Sequence, residues 1–257
     1  MLFSETAGVW GITTYLEKGL QKHSIVNSPA REYNNKISAV YAERGRERGM
    51  DYETQRRLMC ELGRRMWERG WVAANDGNFS RRLGEGLFLV TPAGVSKGFL
   101  TTDMLVVVDS QGRMVQGASS FRPSSETPLH LECYRRREDV GGVCHAHPPA
   151  ATAFACARQG LEEPLVGEAV MTLGPVPCAP YGRTGTQALP DAAGPLLDHH
   201  DALLLANHGA LTLGPNLESA YWRMETLEHT AQVCLNLRIL GGGVPLSPEE
   251  AQALRGR

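Results

Sequence analysis

The chain has 257 residues, of which 42% are hydrophobic and 21% are charged, with a formal net charge of −2. A chain this long can bury enough apolar surface to fold without disulfides or a structural metal. Its near-neutral charge argues against nucleic acid as a partner. It has no run of about 18 apolar residues that would predict a membrane span. Its six cysteines are widely spaced and form no Cys-x-x-Cys pair, which predicts reduced thiols and a cytoplasmic protein.

The chain is predicted to comprise an N-terminal extension and one large domain. Residues 1–48 are polar with weak periodicity, and we interpret them as an extension of unknown role. Residues 49–257 are predicted to form the domain, which starts with an amphipathic helix. The apolar stripe of this helix includes Leu62 and Met66, and Gly70 is its expected end.

The next segments predict strands, turns and a second helix. Residues 86–90 have the composition of a strand between turn-forming segments, and residues 105–117 predict a hairpin. A helix with Pro128 in its first turn is expected to follow.

The second half of the domain continues this alternation. A strand ends in the His-Ala-His sequence at 145–147 and leads into an alanine-rich helix, and residues 163–190 are expected to form short strands and turns. A buried strand ends at a turn near His208, and a long helix then runs to a glycine stop at 241–243. Strands and helices that alternate, with hairpins among them, predict an α/β protein with one mixed sheet.

His145 and His147 are the sharpest chemical signal in the sequence. Positions i and i+2 of a strand point to the same face, so both imidazoles would aim at one point. Imidazole is the commonest metal ligand in proteins, and two imidazoles supply half of a tetrahedral site. The alternative interpretation is two histidines exposed at a strand end, because two ligands do not close a site.

His208 and Glu126 are the further candidates. His208 ends an apolar strand, and together with His145 and His147 it would give the three-histidine set of catalytic zinc sites that keep an open position. Glu126 lies at a predicted helix start, where spacing alone favours a carboxylate that caps free backbone N–H groups. Its functional interpretation is a metal-linked carboxylate that moves a proton.

The other histidines of the domain show no comparable pattern. His199 and His200 flank aspartates in a loop-like stretch and are expected to be solvated. His130 and His229 lie in predicted helices without evident partners.

Three small polar patches are suited to bind an anion. Backbone N–H groups, hydroxyls and a helix dipole can form a phosphate cradle without arginine. The patches are Gly77-Asn78, Ala93-Gly94 and Ser124-Ser125. Turns use the same residue types, which is the alternative interpretation of each patch. Lys97 lies nearby in the sequence and is expected to be solvated.

Taken in order, these segments resemble the class II aldolase/adducin family. The collinear similarity runs from about Asp51 to Gly243 and is closest to the L-fuculose-1-phosphate aldolase branch of that family. It is carried by GNFS, TPAGVSKG, PSSETPLHLECYRRREDVGGVCHAHPPAATAFA, VPCAPYGRTGT and ALLLANHGALTLG. Five motifs in one order are more specific than any one of them.

The resemblance implies a three-layer α/β/α sandwich with a mixed, mostly antiparallel central sheet, assembled as a homotetramer with active sites between subunits. It implies one Zn²⁺ per subunit, or another divalent metal, and it implies that Glu126 is both metal-linked and the catalytic acid/base. The implied metal ligands are His145, His147, His208 and Glu126. The implied phosphate ligands are Asn78, Gly94, Ser124 and Ser125. The implied activity is cleavage of a ketose 1-phosphate, either L-fuculose 1-phosphate or a related deoxy-pentulose phosphate, to dihydroxyacetone phosphate and an aldehyde.

The sequence departs from this branch at the aldehyde end of the site. The branch has a tyrosine acid between the His-x-His segment and the PCAPY segment, whereas no tyrosine lies between Tyr134 and Tyr181 here. Glu168 is the only ionisable side chain in the corresponding segment LVGEAVMTLGPV. We therefore predict that Glu168 takes over part of the catalytic acid/base role.

Two other functional interpretations stay open. The first is a methylthioribulose-1-phosphate dehydratase or L-ribulose-5-phosphate 4-epimerase on the same scaffold. Epimerases usually have aspartate at the position of Glu126, which favours cleavage, whereas the dehydratases have a glutamate in the region of Glu168. The second is a non-catalytic adducin-like module, although such modules have lost the metal ligands that this sequence retains.

Overall fold

The computed structural model describes residues 52–255, and the predicted extension over residues 1–48 lies outside the described residues. The strands, in chain order, are β1 (Asn78–Gly84), β2 (Leu87–Val90), β3 (Val106–Asp109), β4 (Met114–Gln116), β5 (Gly142–Ala146), β6 (Cys178–Ala179), β7 (Ala202–Leu205) and β8 (Gly209–Gly214). The helices are α1 (Tyr52–Glu68), α2 (Thr127–Arg136), α3 (Pro149–Cys156), α4 (Gly167–Thr172), α5 (Ala188–Leu197), α6 (Leu217–Ile239) and α7 (Pro248–Arg255).

These strands form one eight-stranded sheet with the order β4-β3-β2-β1-β5-β8-β7-β6. Every neighbouring pair is antiparallel except β6 and β7, which are parallel. The predicted mixed, mostly antiparallel sheet is therefore confirmed. β5 lies near the centre of the sheet, between β1 and β8.

Two hydrophobic cores lie on opposite faces of the sheet. Because successive side chains of a strand point to opposite faces, Leu203 and Leu205 of β7 enter one core and Ala202 and Leu204 enter the other. Helices α2 and α5 pack into the first core, and α1, α3 and α6 pack into the second. The three-layer α/β/α sandwich predicted from the sequence is confirmed.

Most of the predicted elements are present, with capping chemistry that matches their sequence. The helix expected at Pro128 is α2, which carries this proline in its first turn. The long helix α6 begins after Asn216, whose side-chain oxygen accepts a hydrogen bond from the Ser219 N–H at 2.7 Å.

Two segments differ from their prediction. Residues 163–190 were expected to form only strands and turns, but α4 and the start of α5 lie there, because burial of Ala169 and Val170 in the core stabilises a six-residue helix that is too short to show periodicity. The residues before the strand at 86–90 were expected to form turns, but residues 78–84 form β1. Arg81 and Arg82 interrupt the apolar pattern of this strand, so the sequence did not indicate it.

Two further features concern the cysteines and the lengths of the helices. All six cysteines are unpaired, although only Cys133 and Cys144 are fully buried and Cys156 is exposed. None of the helices between residues 52 and 255 is long and apolar enough to span a bilayer.

Candidate functional site

The three predicted histidines lie together at one end of the sheet. His145 is on β5 and His147 follows it, and their Nε2 atoms are 3.1 Å apart. His208 approaches from the turn between β7 and β8, with its ring centroid 4.6 Å from that of His145 and 4.9 Å from that of His147. One nitrogen from each imidazole lies within 4.8 Å of the others, so the three histidines are close enough to hold one metal ion.

The turn that carries His208 requires a glycine. A Cβ atom at Gly209 would lie 2.5 Å from the carbonyl oxygen of Ala146 and 2.5 Å from a ring carbon of His147. Asn207, before His208, has a φ of 55°, a left-handed conformation that asparagine tolerates better than most residues. The Asn-His-Gly sequence thus allows His208 to approach β5 closely.

The second nitrogens of the imidazoles determine what the first can bind. His145 Nδ1 lies 2.9 Å from the carbonyl oxygen of Ala210, and His147 Nδ1 lies 3.3 Å from a carboxylate oxygen of Asp76. Both acceptors favour an Nδ1–H tautomer, which leaves a lone pair on each Nε2. Two lone pairs 3.1 Å apart repel each other unless a cation lies between them, so this donor set fits a divalent metal.

The carboxylate of Glu126 closes the same cluster. One of its oxygens is 3.1 Å from Nε2 of His145, and the other is 3.1 Å from Nε2 of His208. The Asn78 amide donates a hydrogen bond of 3.0 Å to it. Glu126 occupies the N-cap position of α2 but makes no side-chain capping bond. The interpretation that spacing alone favoured, a helix cap, is therefore wrong, because the side chain turns toward the imidazoles.

Burial and local charge set the protonation of this cluster. Burial lowers the pKa of His145 to about 3, so its imidazole is neutral and able to bind a metal. Burial also lowers the pKa of His147. Burial raises the pKa of Glu126, but the neighbouring imidazoles and the Asn78 amide lower it by more. As a result, the pKa of Glu126 lies well below the usual range of a glutamate. The site therefore combines a neutral His145 imidazole with an ionised carboxylate.

A cavity of about 250 Å³ opens beside the histidines. All six residues predicted to bind phosphate line it, namely Gly77, Asn78, Ala93, Gly94, Ser124 and Ser125. Glu126, His145 and His147 line it as well. The three polar patches, far apart in the sequence, thus come together next to the possible metal ligands and the N-terminus of α2.

Lys97 also lines this cavity, but it is not solvated as predicted. Its side chain is 1% exposed, and its Nζ donates hydrogen bonds to the carbonyl oxygens of Asn75 at 2.8 Å and Val95 at 2.6 Å. Burial lowers its pKa to about 8. The lysine therefore fastens two loops of the cavity to each other, which the turn-like sequence around it did not indicate.

Two residues of the site were missed in the sequence. Asp76, the acceptor for His147, lies in a segment that we assigned to turns. His130, expected to lack a partner, is buried and lies 2.6 Å from both the Ser80 hydroxyl and the Asn78 side-chain oxygen. The signal for His130 was its spacing, because it follows Glu126 by four residues on one helix.

Glu168 is not among the residues that line this cavity. It lies exposed in the first turn of α4. Its predicted acid/base role stays a prediction.

The chain is similar in sequence to one protein family and to several of its enzymes, and similar in structure to a solved aldolase. Residues 57–235 match the Class II Aldolase and Adducin N-terminal domain. A 3-oxo-tetronate 4-phosphate decarboxylase of Pectobacterium atrosepticum is 34% identical over 74% of this chain and 88% of its own length. A 5-deoxy-D-ribulose 1-phosphate aldolase of Bacillus thuringiensis is 32% identical over 79% of this chain and 94% of its own length. The crystal structure of L-fuculose-1-phosphate aldolase from Thermus thermophilus superposes with a TM-score of 0.64 at 34% identity, covering 74% of this chain and 96% of that one.

Proposed function

The chain belongs to the class II aldolase and adducin family of metal-dependent enzymes, and from that premise we propose that it is a zinc-dependent aldolase that cleaves a ketose 1-phosphate to dihydroxyacetone phosphate and an aldehyde. One observation carries the proposal. Three histidines and Glu126 converge beside a cavity lined by all six predicted phosphate-binding residues. The substrates that we propose are L-fuculose 1-phosphate and related deoxy-pentulose phosphates.

His145, His147 and His208 are the residues that would hold the metal, with Glu126 as a fourth ligand that can be released. Nitrogen-rich, tetrahedral donor sets suit zinc, and manganese, cobalt or iron can occupy similar sites. When bound, the cation would act as a Lewis acid toward the ketone and the adjacent hydroxyl of the substrate. We assign the binding and proton-transfer roles that remain to side chains of this chain.

The phosphate end of the substrate would bind in the cavity. Hydroxyls of Ser124 and Ser125, the Asn78 amide and backbone N–H groups near Gly94 are donors suited to phosphate oxygens. The dipole of α2, a helix of ten residues that starts at this point, adds a partial positive charge. Binding at this end would hold the ketone within reach of Glu126.

Cleavage breaks the C3–C4 bond of the ketose phosphate. The C4 hydroxyl loses its proton and becomes the aldehyde, and the electron pair of the broken bond stays on C3 as the enediolate of dihydroxyacetone phosphate. The C4 proton would pass to Glu168 or to water. Glu126, which is ionised before cleavage, would take up a proton from water and then deliver it to C3, since its carboxylate lies at the centre of the cluster, against His145 and His208. Glu168 remains the proposed acid/base at the aldehyde end.

A decarboxylase is the second candidate, and one observation favours it. Among the cavity-lining residues, the titratable side chains other than the histidines are Asp76, Lys97 and Glu126. Asp76 is engaged with His147 and Lys97 with two backbone carbonyl groups, so the described cavity offers no free second base for a C4 hydroxyl. A 3-oxo acid 4-phosphate needs no such base. It loses its C1 carboxylate as CO₂, and the electron pair of the C1–C2 bond stays on C2 as the same enediolate. The relative named 3-oxo-tetronate 4-phosphate decarboxylase agrees with this alternative.

The deciding experiment supplies the zinc-loaded protein with three substrates and measures dihydroxyacetone phosphate, aldehyde and CO₂. The substrates are L-fuculose 1-phosphate, 5-deoxyribulose 1-phosphate and 3-oxo-tetronate 4-phosphate. Metal-dependent formation of dihydroxyacetone phosphate together with an aldehyde supports the aldolase, and formation together with CO₂ alone supports the decarboxylase. If the metal-loaded protein releases dihydroxyacetone phosphate from none of them, both proposals fail. Dehydratase and epimerase activities are then tested, and a protein that binds no metal would be an adducin-like module.

We propose a cytoplasmic homotetramer in which neighbouring subunits complete the active sites, with residues 49–257 as the catalytic domain and residues 1–48 as an extension. Light scattering and a truncation that begins at residue 49 test the assembly and the domain boundary.

A further inference from the structure

A chain of buried polar side chains runs between β1 and α2 and ends at Glu126. Residues 126, 130 and 134 follow one another at intervals of four, which places them on one face of the helix. Asn78 and Ser80 alternate on β1 and point toward that face. The strand and the helix therefore contribute side chains to one hydrogen-bonded seam.

The distances along the seam are short and continuous. The Tyr134 hydroxyl is 2.8 Å from the Ser80 hydroxyl, which is 2.6 Å from Nδ1 of His130. Nε2 of His130 is 2.6 Å from the side-chain oxygen of Asn78. The Asn78 amide nitrogen is 3.0 Å from Glu126. Tyr134, Ser80, His130 and Asn78 are all at least 95% buried.

The carboxylate at one end fixes the direction of every bond in the seam. An ionised carboxylate only accepts hydrogen bonds, so the Asn78 amide N–H must face Glu126 and its oxygen must face His130. Nε2 of His130 must then carry the proton, and Nδ1 must accept from Ser80. The Ser80 oxygen in turn accepts from the Tyr134 hydroxyl. Burial lowers the pKa of His130 to about 4, which agrees with a neutral imidazole.

We propose that His130 is a positioning residue that holds the Asn78 amide with both of its N–H bonds directed at anions, one at Glu126 and the other at the phosphate of the substrate. The inference rests on the proposed function for the identity of the second anion. The Asn78 amide has two N–H bonds and Glu126 takes one of them, while Asn78 itself lines the cavity. A rotated amide would present its oxygen to both anions, and Nε2–H of His130 is the group that opposes this rotation.

The first test reads the tautomer of His130 without any reaction. Selective ¹⁵N-histidine labelling, with His130→Gln used to assign the signal, distinguishes Nε2–H from Nδ1–H by imidazole nitrogen shifts. We expect a neutral Nε2–H imidazole across the neutral pH range. An Nδ1–H tautomer or a charged imidazole would overturn the inference whatever the enzyme catalyses.

The second test compares three variants by their affinity for inorganic phosphate, measured by calorimetric titration of the metal-loaded protein. His130→Phe fills the space but cannot donate, and its phosphate Kd should rise about tenfold or more, since a hydrogen bond to a charged group is lost. His130→Gln can still donate to Asn78, and its Kd should stay within about threefold of wild type. Tyr134→Phe is the matched control, because it removes a buried hydrogen bond from the far end of the seam and leaves the Ser80–His130–Asn78 part intact.

A merely structural role would give a different pattern. It would lower the melting temperatures of His130→Phe and Tyr134→Phe alike without separating their phosphate affinities, and that result would contradict the inference. Equal phosphate affinity of His130→Phe and wild type would contradict it as well. If His130→Phe does not fold, the tautomer of the wild-type protein still decides. An enzyme that binds phosphate in the expected order yet cleaves none of the proposed substrates would contradict the proposed function alone.

Discussion

The tautomers of His145 and His147 depend on what the second ring nitrogen of each imidazole contacts. His145 uses a backbone carbonyl, which cannot change without moving β8, whereas His147 uses the carboxylate of Asp76 on a partly exposed loop. A carboxylate that accepts from a metal-binding imidazole fixes its orientation and raises its basicity. Asp76 should therefore tune the affinity of the site for metal without touching the metal itself.

Replacing Asp76 tests this role directly. Asp76→Ala should weaken zinc binding about 10- to 100-fold, because His147 loses the acceptor that keeps its Nε2 unprotonated. Asp76→Asn keeps a neutral acceptor and should have a smaller effect. Competition with a chromophoric chelator measures both constants, and Asp103→Asn, an exposed carboxylate elsewhere, is the control. Unchanged zinc affinity in Asp76→Ala would show that the Asp76–His147 contact is incidental.

At the scale of elements, local patterns predicted the parts of the site that lie within one element. The alternation of β5 correctly predicted that His145 and His147 share a face, because the period of a strand is a property of its own backbone. β1 escaped prediction because Arg81 and Arg82 interrupt its apolar pattern. The structure explains why this is tolerated, since Arg82 lies over the rings of Phe88 and Tyr134 and Arg81 pairs with Glu218.

The orientation of Glu126 and the burial of Lys97 could not be predicted, because both depend on contacts between segments distant in the sequence. Glu126 faces histidines from two other elements, and Lys97 bonds to the carbonyl group of Asn75 on another loop as well as to that of Val95 on its own. In the sequence, a glutamate at a helix start is explained as a cap, and a lysine in a turn is explained as solvated. The contacts that contradict these two explanations form only when the sheet is packed.

The link through Lys97 has a consequence for stability. Lys97→Met keeps the volume but leaves two carbonyl groups without their donor, which should lower the melting temperature by at least about 4 °C. The difference in melting temperature between wild type and Lys97→Met should grow with pH. Because burial lowers the pKa of Lys97 to about 8 while the unfolded side chain keeps its proton to about pH 10, the unfolded state binds more protons in this window and the wild type gains stability there.

Thermal unfolding of both proteins between pH 7 and pH 9.5 measures this difference. Arg57→Met, which removes an exposed cation from α1, is the control. Its difference in melting temperature from wild type should not grow with pH. A gap between wild type and Lys97→Met that stays constant from pH 7 to pH 9.5 would mean that Lys97 titrates normally and is not held by burial.

At the scale of the whole molecule, the site exists only when the sheet is complete. Its residues come from the start of β1, the start of α2, the end of β5 and the turn between β7 and β8, and some of them are separated by more than a hundred positions in the sequence. An unfolded chain cannot present this donor set, so metal binding and folding should be coupled. The metal should therefore act as a ligand of the native state alone.

This coupling predicts how the metal changes the melting temperature. At a free zinc concentration 100 times Kd, the native state gains about 2.7 kcal/mol, which corresponds to a rise of roughly 5–10 °C for a domain of this size. The rise should be measured by adding zinc to chelator-treated protein. The zinc-induced rise in melting temperature should vanish in His145→Ala. It should vanish in His208→Asn as well, and this second variant serves as the test if replacing the buried His145 prevents folding. His200→Ala, whose imidazole contacts the Pro175 carbonyl away from the cluster, should retain the full rise. An equal rise in all variants would mean that zinc stabilises the protein somewhere other than at the three histidines.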